Sequence, residues 1–391
     1  MIGLGSCGPR LDLIGDNNMP NALRTLIVGG GIAGMSAGIE LAKRGHEVHL
    51  IDLDPEWRSY GAGITVQAPM FRALRVLGLS DEVAAAGFPC RGARTRLADG
   101  TVLGEVQAEK LEPGLPDGGG IMRPLLHAIL AKKTRDLGVN VRLGVTTKDI
   151  HEGRDGVHAS FTDGSDGTFD AVIGADGIFS KLRCTLFPDA PTPRFTGQAA
   201  FRTLAPRPPD LDVIDVYLGN PIKAGVTPVS REQLYMFTLS PEKGDGFMSP
   251  QQQVERLREV LAGFGGLIGE IRDTLGPQSP IVYRPLQTLL LPKPWHRGRF
   301  VLIGDAVHAT TPQLASGAGA AVEDGVLLAD YLTNSKSIEE ALVGFVERRF
   351  DRCRHIVESS VRLGELELAG APGIEQGRVY SEALARLALP A

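Results

Sequence analysis

The chain has 391 residues, a formal net charge of −5 and 43% hydrophobic residues. That length supports one large domain or two closely packed ones, and the mildly acidic balance argues against a nucleic-acid partner. Its four cysteines, Cys7, Cys90, Cys184 and Cys353, lie far apart with no Cys-x-x-Cys, which argues against a disulfide framework or a metal site and makes a reducing, cytoplasmic setting the default; no apolar run approaches the length of a membrane span.

Residues 1–22 carry Gly, Asn and Pro without apolar periodicity and read as a disordered extension, or as an upstream start before Met19. The organising stretch follows, Leu26 to Asp52. An apolar strand leads into Gly29-x-Gly31-x-x-Gly34, then an apolar-periodic helix stopped at Gly45, then a strand ending on Asp52. Gly29 permits a tight turn, Gly31 lets backbone approach a pyrophosphate, and Gly34 lets helix pack on strand. The helix N-terminus offers free N–H groups to the phosphate, and Asp52 is spaced to hold an adenosine ribose. The unit predicts FAD or NAD(P) binding; the alternative is a Gly-rich turn in an ordinary β–α–β unit.

A Gly-rich loop, Arg58 to Ile64, precedes an amphipathic helix over 69–77 and a second over 80–86 with Ser80 as N-cap. Strands are predicted at 93–97 and 101–105 about the turn Asp99-Gly100, then a Pro/Gly-rich loop at 112–120. Arg123-Pro124 starts a helix to about Leu137, followed by strands at 139–143 and 156–162. The run Ala171 to Gly174 is a strand broken at Ala175-Asp176-Gly177, and a helix with Lys181 and Arg183 follows. Four successive strands, 198–204, 213–218, 223–228 and 234–239, lack helices between them and predict an antiparallel sheet that could wall a substrate cavity. Helices at 250–264 and 267–274 and a strand at 282–287 follow. Phe300 to Ile303 is a buried strand entering Gly304-Asp305; Thr310 to Pro312 opens a loop, and Gly317-Ala318-Gly319 starts a small-residue helix. A helix over 338–358 and a looser tail close the chain. The expected class is α/β: a Rossmann-like FAD-binding domain with a parallel sheet from 23–95, 121–187 and 288–335, an interleaved antiparallel substrate domain from 96–120 and 188–287, and C-terminal helices over 336–391.

With Gly29-x-Gly31-x-x-Gly34, Gly174-Ala175-Asp176-Gly177 and Gly304-Asp305 in this order and spacing, the sequence resembles the single-component FAD-dependent aromatic hydroxylases typified by p-hydroxybenzoate hydroxylase. The resemblance covers roughly 24–360. The stretches YGAGI and HATTPQLASGAGAAVEDG look closest to the branch acting on hydroxybenzoates, hydroxypyridines and urate. It implies that Gly29, Gly31 and Gly34 face the pyrophosphate, Asp52 the ribose, and Arg123 the flavin. It further implies that Asp176 serves FAD and nicotinamide binding and that Asp305, after Gly304, bonds the ribityl chain. Pro312 is implied beside the isoalloxazine, with Gly317, Ala318 and Gly319 at its pyrimidine edge, where a helix N-terminus stabilises the charge of reduced flavin. Each has a plainer reading: Asp176 as a helix cap, Asp305 as a loop residue, Arg123 as a surface residue.

The implied activity is NADH- or NADPH-dependent hydroxylation of a small phenolic or N-heteroaromatic compound, O2 reacting through a flavin C4a-hydroperoxide. Arg202 and Tyr217, on successive strands, are the expected substrate contacts, with Tyr235 and Tyr283 weaker ones. His308 reads equally as a proton relay or a structural histidine. Alternatives are a flavin oxidase or dehydrogenase without oxygen insertion, and a non-catalytic flavin-binding module. The Trp-x-Trp-x-Ile-Pro motif of flavin halogenases is absent; only Trp57 and Trp295 occur. A monomer or homodimer is expected, the apolar 338–346 helix serving core packing or a dimer contact.

Overall fold

Strand Arg24–Val28 is buried on both faces and pairs in parallel with Glu47–Asp52 on one side and Ala171–Gly174 on the other. Continuous apolar runs such as Leu26-Ile27-Val28 are what such a doubly covered strand requires. The computed structural model describes residues 22–59, 61–107 and 111–391. The extension expected over 1–22 therefore lies outside the described residues but for Ala22, and so does Tyr60 of the Gly-rich loop.

Six strands form the nucleotide sheet, in the order His296–Arg297, Phe300–Leu302, Ala171–Gly174, Arg24–Val28, Glu47–Asp52, Asn140–Leu143. All neighbours are parallel except the antiparallel edge strand His296–Arg297. Helices Ile32–Lys43 and Gly317–Asn334 pack against each other beside it. At their contact, a Cβ on Gly325 would lie 2.4 Å from the Ala37 nitrogen, so glycine sets how closely the two helices approach.

Seven strands form the second sheet, in the order Val282–Thr288, Arg194–Pro206, Gln233–Pro241, Lys223–Pro228, Ile214–Leu218, Gly92–Leu97, Val102–Gln107. It is antiparallel, as expected, except where Ile214–Leu218 meets Gly92–Leu97 in parallel. The domain boundary expected at 95/96 falls inside that strand. One face of the sheet packs on helices Pro250–Val260 and Gly266–Thr274 around Phe201, Tyr217, Met236, Leu257 and Ile268. The other face meets the strands Gly63–Gln67 and Gly118–Met122.

Two segments expected as loops are strands. Gly63–Gln67 and Gly118–Met122 pair with each other, and Phe88–Pro89 completes a small sheet. The glycines that suggest a loop are there for clearance: a Cβ on Gly120 would lie 2.3 Å from the Pro228 carbonyl oxygen. Ser80 is not an N-cap. Leu79 occupies that position, and the buried Ser80 hydroxyl has no hydrogen-bond partner. The tail beyond 358 is ordered: one helix runs Ile338–Leu368 and a second Gly373–Ala388. No described helix is long and apolar enough to cross a membrane.

Candidate functional site

The two sheets enclose a cleft whose nucleotide end is built by glycine. Gly29 has φ +108, and a Cβ there would lie 2.3 Å from the Ala175 carbonyl oxygen. A Cβ on Gly34 would lie 2.0 Å from the Gly29 oxygen, so helix Ile32–Lys43 could not sit this close to its strand. Beside Gly31 the space is open. Gly31 is the N-cap and supplies no side-chain cap, and the first helical bond is Met35 N to Gly31 O at 2.9 Å. The N–H groups of the first turn therefore remain for an anion. Asp52 follows at the strand end. Its Oδ2 accepts from the Gly30 N–H at 2.7 Å and its Oδ1 from Asp54 N–H at 2.8 Å, which fixes the carboxylate beside the glycine loop with lone pairs to spare.

The second motif forms a turn against the first. Asp176 Oδ2 accepts from Lys181 N and Leu182 N at 2.8 and 3.2 Å, so it caps the short helix Lys181–Leu186. Its Oδ1 is buried with no hydrogen-bond partner, an acceptor left over for a donor in the cleft. Arg183, expected as a helix basic residue, is only 2% exposed. It donates to Ala306 O and Ile178 O, each at 2.8 Å, and so ties the Asp176 turn to the Gly304-Asp305 turn.

Gly304 has φ +62 at that turn, and a Cβ there would lie 2.8 Å from Ala33 Cβ. The next residue, Asp305, is accessible to water yet ringed by protein, as a group on a cleft floor must be. Burial raises its carboxyl, with His308 and Arg123 opposing. Arg123 opens helix Arg123–Asp136 and, like Asp305, is exposed by area yet ringed by protein; that enclosure lowers it, with Asp305 working the other way. Pro312 begins a single 3₁₀ turn to Leu314, and Ala315 then takes φ 48, a left-handed conformation that costs a non-glycine residue strain. The turn delivers helix Gly317–Asn334 with no side-chain cap. The N–H groups of Gly317, Ala318 and Gly319 thus point out of the helix start, where they can hold a ring oxygen or nitrogen carrying negative charge.

Strand parity decides which expected substrate residues reach the cleft. Arg202 is opposite Phe237, Phe237 opposite Gly225, and Gly225 opposite Val216. Tyr217 is one residue on, in the row Ala224, Thr238, Phe201. Successive residues face opposite sides, so Tyr217 lies on the helix-covered face. It is 1% exposed, with the Arg96 guanidinium 5.6 Å from its ring. Tyr283 shares that core, its ring 4.9 Å from Phe201. Tyr235 has the parity of Arg202 and so lies on the opposite face, where it is 7% exposed and packs with Ala62 and Val229 beneath Gly63. Burial raises its phenol and the neighbouring Arg202 opposes the rise. Arg284, opposite Ala200, is on this face too, and Arg123 feels the charges of Asp305, Arg202 and Arg284. The structure thus brings Arg123, Arg202, Tyr235, Arg284 and Asp305 together; Tyr217 and Tyr283 are core residues.

His308 is likewise committed inward. It is 2% exposed and its Nε2 is 2.6 Å from Asp324 Oδ2, which also accepts from the Gly304 N–H at 2.9 Å. Asp324 Oδ1 takes Arg349 Nε at 2.8 Å, and Arg349 Nη1 reaches Glu323 Oε2 at 2.9 Å. Arg352 closes the lattice on Glu323 at 2.7 and 2.8 Å. Burial alone would raise the Asp324 carboxyl, but His308 and Arg349 outweigh it and hold it at about 2. Burial also works against the His308 imidazolium; the Cys353 sulfur and the Asp324 carboxylate overcome it and raise the group well above its usual value. His308, Asp324 and Cys353 lie within metal-ligand spacing, yet both Asp324 oxygens are already taken by donors, one a guanidinium. The cluster is an internal ion lattice that pins the helix start at Gly317 to helix Ile338–Leu368, and His308 belongs to it.

A glycine cradle open at Gly31, an uncapped helix start on each side of the cleft and the leftover Asp176 acceptor fit the pyrophosphate, ribityl and ring portions of a flavin dinucleotide. The protein is a mixed α/β flavoprotein with a parallel nucleotide sheet and a second, seven-stranded sheet. It belongs to the FAD binding domain family, whose pattern spans residues 22–358. It is 32% identical to the putative FAD-dependent monooxygenase YetM of Bacillus subtilis, over 91% of this chain and 97% of that protein. It is 31% identical to the 2-heptyl-3-hydroxy-4(1H)-quinolone synthase of Pseudomonas aeruginosa, over 88% and 89%. Klebsiella pneumoniae HpxO, solved with FAD and uric acid, superposes with a TM-score of 0.79 at 25% identity, covering 92% of each chain. The chain is an enzyme of this FAD-dependent monooxygenase group.

Proposed function

We propose that the protein hydroxylates a small phenolic or N-heteroaromatic substrate, using NADH or NADPH and O2, with FAD held by the residues above. The observation that supports this reading is that Arg202 and Arg284 share one face of the seven-stranded sheet and, with Asp305 and Tyr235, act on the charge of Arg123. FAD, when bound, supplies the redox and oxygen chemistry. Gly29, Gly31, Gly34 and Asp52 hold its nucleotide end, Arg123, Asp176 and Asp305 its middle, and Pro312 with the Gly317, Ala318 and Gly319 N–H groups its ring.

The chain's own contribution is orientation and charge. Arg123, Arg202 and Arg284 stand near one carboxyl, Asp305, so the substrate end of the cleft carries an excess of positive charge. A ring hydroxyl or oxo group there is stabilised as its oxyanion, which raises the electron density of the ring. Tyr235, kept protonated by burial, donates a hydrogen bond at its Oη and holds the ring against the cofactor wall.

The test is oxygen consumption by the purified FAD-loaded protein with NAD(P)H and a panel of hydroxybenzoates, hydroxypyridines, purines and quinolones, with product mass measured under ¹⁸O2. One compound that stimulates NAD(P)H oxidation and gains one labelled oxygen is expected, and Arg202→Gln is expected to keep FAD while losing that stimulation. Peroxide formed in step with substrate oxidation, with no label in product, would establish the oxidase alternative.

A further inference from the structure

The C-terminal helix Gly373–Ala388, expected as a loose tail, is gripped by three arginines. Arg72 donates to Ala388 O and Leu389 O at 2.8 and 2.7 Å, Arg352 to Leu387 O at 2.9 Å, and Arg348 to Ala391 O at 2.5 Å. Its inner face packs Val379, Tyr380 and Ala383 against Leu314, the end of the Pro312 turn. Tyr380 is only partly covered by area, yet protein surrounds it on all sides, the combination already met at Asp305. Its polar neighbour is the side chain of Gln67.

Strand Gly63–Gln67 connects this tyrosine to the substrate face. Residues 63, 65 and 67 share one side of the strand. A Cβ on Gly63 would lie 2.6 Å from Tyr235 Cβ, and Thr65 Oγ1 is 3.3 Å from Thr227 Oγ1, Thr227 standing opposite Tyr235 in the seven-stranded sheet. Gln67 is next on that side and meets Tyr380. The strand therefore carries one wall from the Arg202–Tyr235 pair to the C-terminal helix, a run of four residues or about 13 Å. A monocyclic benzoate is shorter than that wall.

We propose that Tyr380, set by Gln67, is a specificity-determining contact that receives a polar group on the end of the substrate remote from Arg202, and that it selects fused bicyclic or longer substrates. This rests on the hydroxylase reading above. Tyr380 acts on binding and orientation. Its hydroxyl donates to an oxo, ring-nitrogen or hydroxyl acceptor, and the partly exposed Val379 beside it meets the apolar remainder.

The experiment compares FAD-loaded wild type with Tyr380→Phe, and with Gln67→Leu as the second variant. Dissociation constants come from flavin absorbance changes on titration with uric acid and 2-alkyl-4(1H)-quinolones as bicyclic probes and 4-hydroxybenzoate as the monocyclic one. Tyr380→Phe is expected to weaken the tightest bicyclic ligand by about 3- to 10-fold, the value of one neutral hydrogen bond. FAD affinity and 4-hydroxybenzoate binding are expected to stay as in wild type, with KM raised more than kcat is lowered. Equal losses for both ring classes, a fall in melting temperature with ligand affinities unchanged, or a wild type that binds 4-hydroxybenzoate and no bicycle would each overturn the proposal. Titration reads binding without turnover, so a protein that binds bicycles through Tyr380 but inserts no oxygen refutes the hydroxylase reading alone.

Discussion

Arg349→Met tests the ion lattice directly. The change removes a fully buried cation that donates to Asp324 at 2.8 Å, Glu323 at 2.9 Å and Ala320 O at 3.2 Å. With His308 protonated, the lattice holds three cations, His308, Arg349 and Arg352, and two anions, Glu323 and Asp324. Without Arg349 two of each remain: Asp324 keeps His308 and the Gly304 N–H, and Glu323 keeps Arg352. The cost belongs at the low end of the range for breaking a buried pair, about 3 kcal/mol. Asp324→Asn instead removes the carboxylate that helps keep His308 protonated and leaves Glu323 as the sole carboxylate for Arg349 and Arg352, which belongs at the high end, about 5 kcal/mol. At an unfolding entropy of ~2.1 cal/mol/K per residue, these are falls of about 4 and about 6 °C for a chain of this length. Calorimetry on the FAD-loaded proteins near pH 6 measures both. An Asp324→Asn melting temperature equal to or above that of Arg349→Met would refute the charge count.

The remaining predictions follow from single contacts. Gly34→Val is expected to abolish FAD retention, because its Cβ would meet the Gly29 oxygen at 2.0 Å; absorbance near 450 nm, expressed per chain, reads it. Gly304→Ala, strained at φ +62 and blocked by Ala33, is expected to raise the FAD dissociation constant at least tenfold by fluorescence titration. The raised His308 contributes stability that is complete below the unfolded pKa near ~6.5 and is lost as pH climbs through its folded value. His308→Gln should therefore flatten the decline of melting temperature above pH ~6.5, while the loss from Asp324 appears only as pH falls from ~3.8 toward about 2. Tyr217→Phe should leave ligand affinities at the wild-type value, since its hydroxyl lies near Gly266 on the helix-covered face.

Backbone elements with a strong period or a hard steric signature were legible in the sequence. The Leu26 strand, the Gly29–Gly34 turn and the strand entering Gly304 all appear where the residues place them. Lys223–Pro228 even has its expected ends. Strand Gly63–Gln67 was not legible, because glycine there serves clearance against Tyr235 and looks the same as glycine in a loop. Nor was the face of each tyrosine. Choosing between Tyr217 and Tyr235 needs the register across four strands, and a one-residue difference reverses the answer. The C-terminal helix escaped because its apolar positions make sense only against Leu314 and Ile356, residues of other elements.

The pairing of the two sheets has a consequence for how the chain acquires its shape. The nucleotide sheet joins residues 24, 47, 140, 171 and 300, and the seven-stranded sheet joins 93 to 214 and 194 to 288. Neither sheet is contiguous in the chain, so no cut between them leaves a half that can fold alone. Hairpins such as Ile214–Leu218 with Lys223–Pro228 form locally, but pairs such as Thr25–Ala171, Ala93–Ile214 and Val172–Phe300 each close a loop of more than 100 residues before they return any contact energy. Such a topology folds slowly and exposes unpaired strand edges while it does so. The Gly29 turn, complete only when Ala175 arrives from the second motif, is then an acquisition of late assembly, and a cofactor held there, as proposed, would reward the finished chain alone.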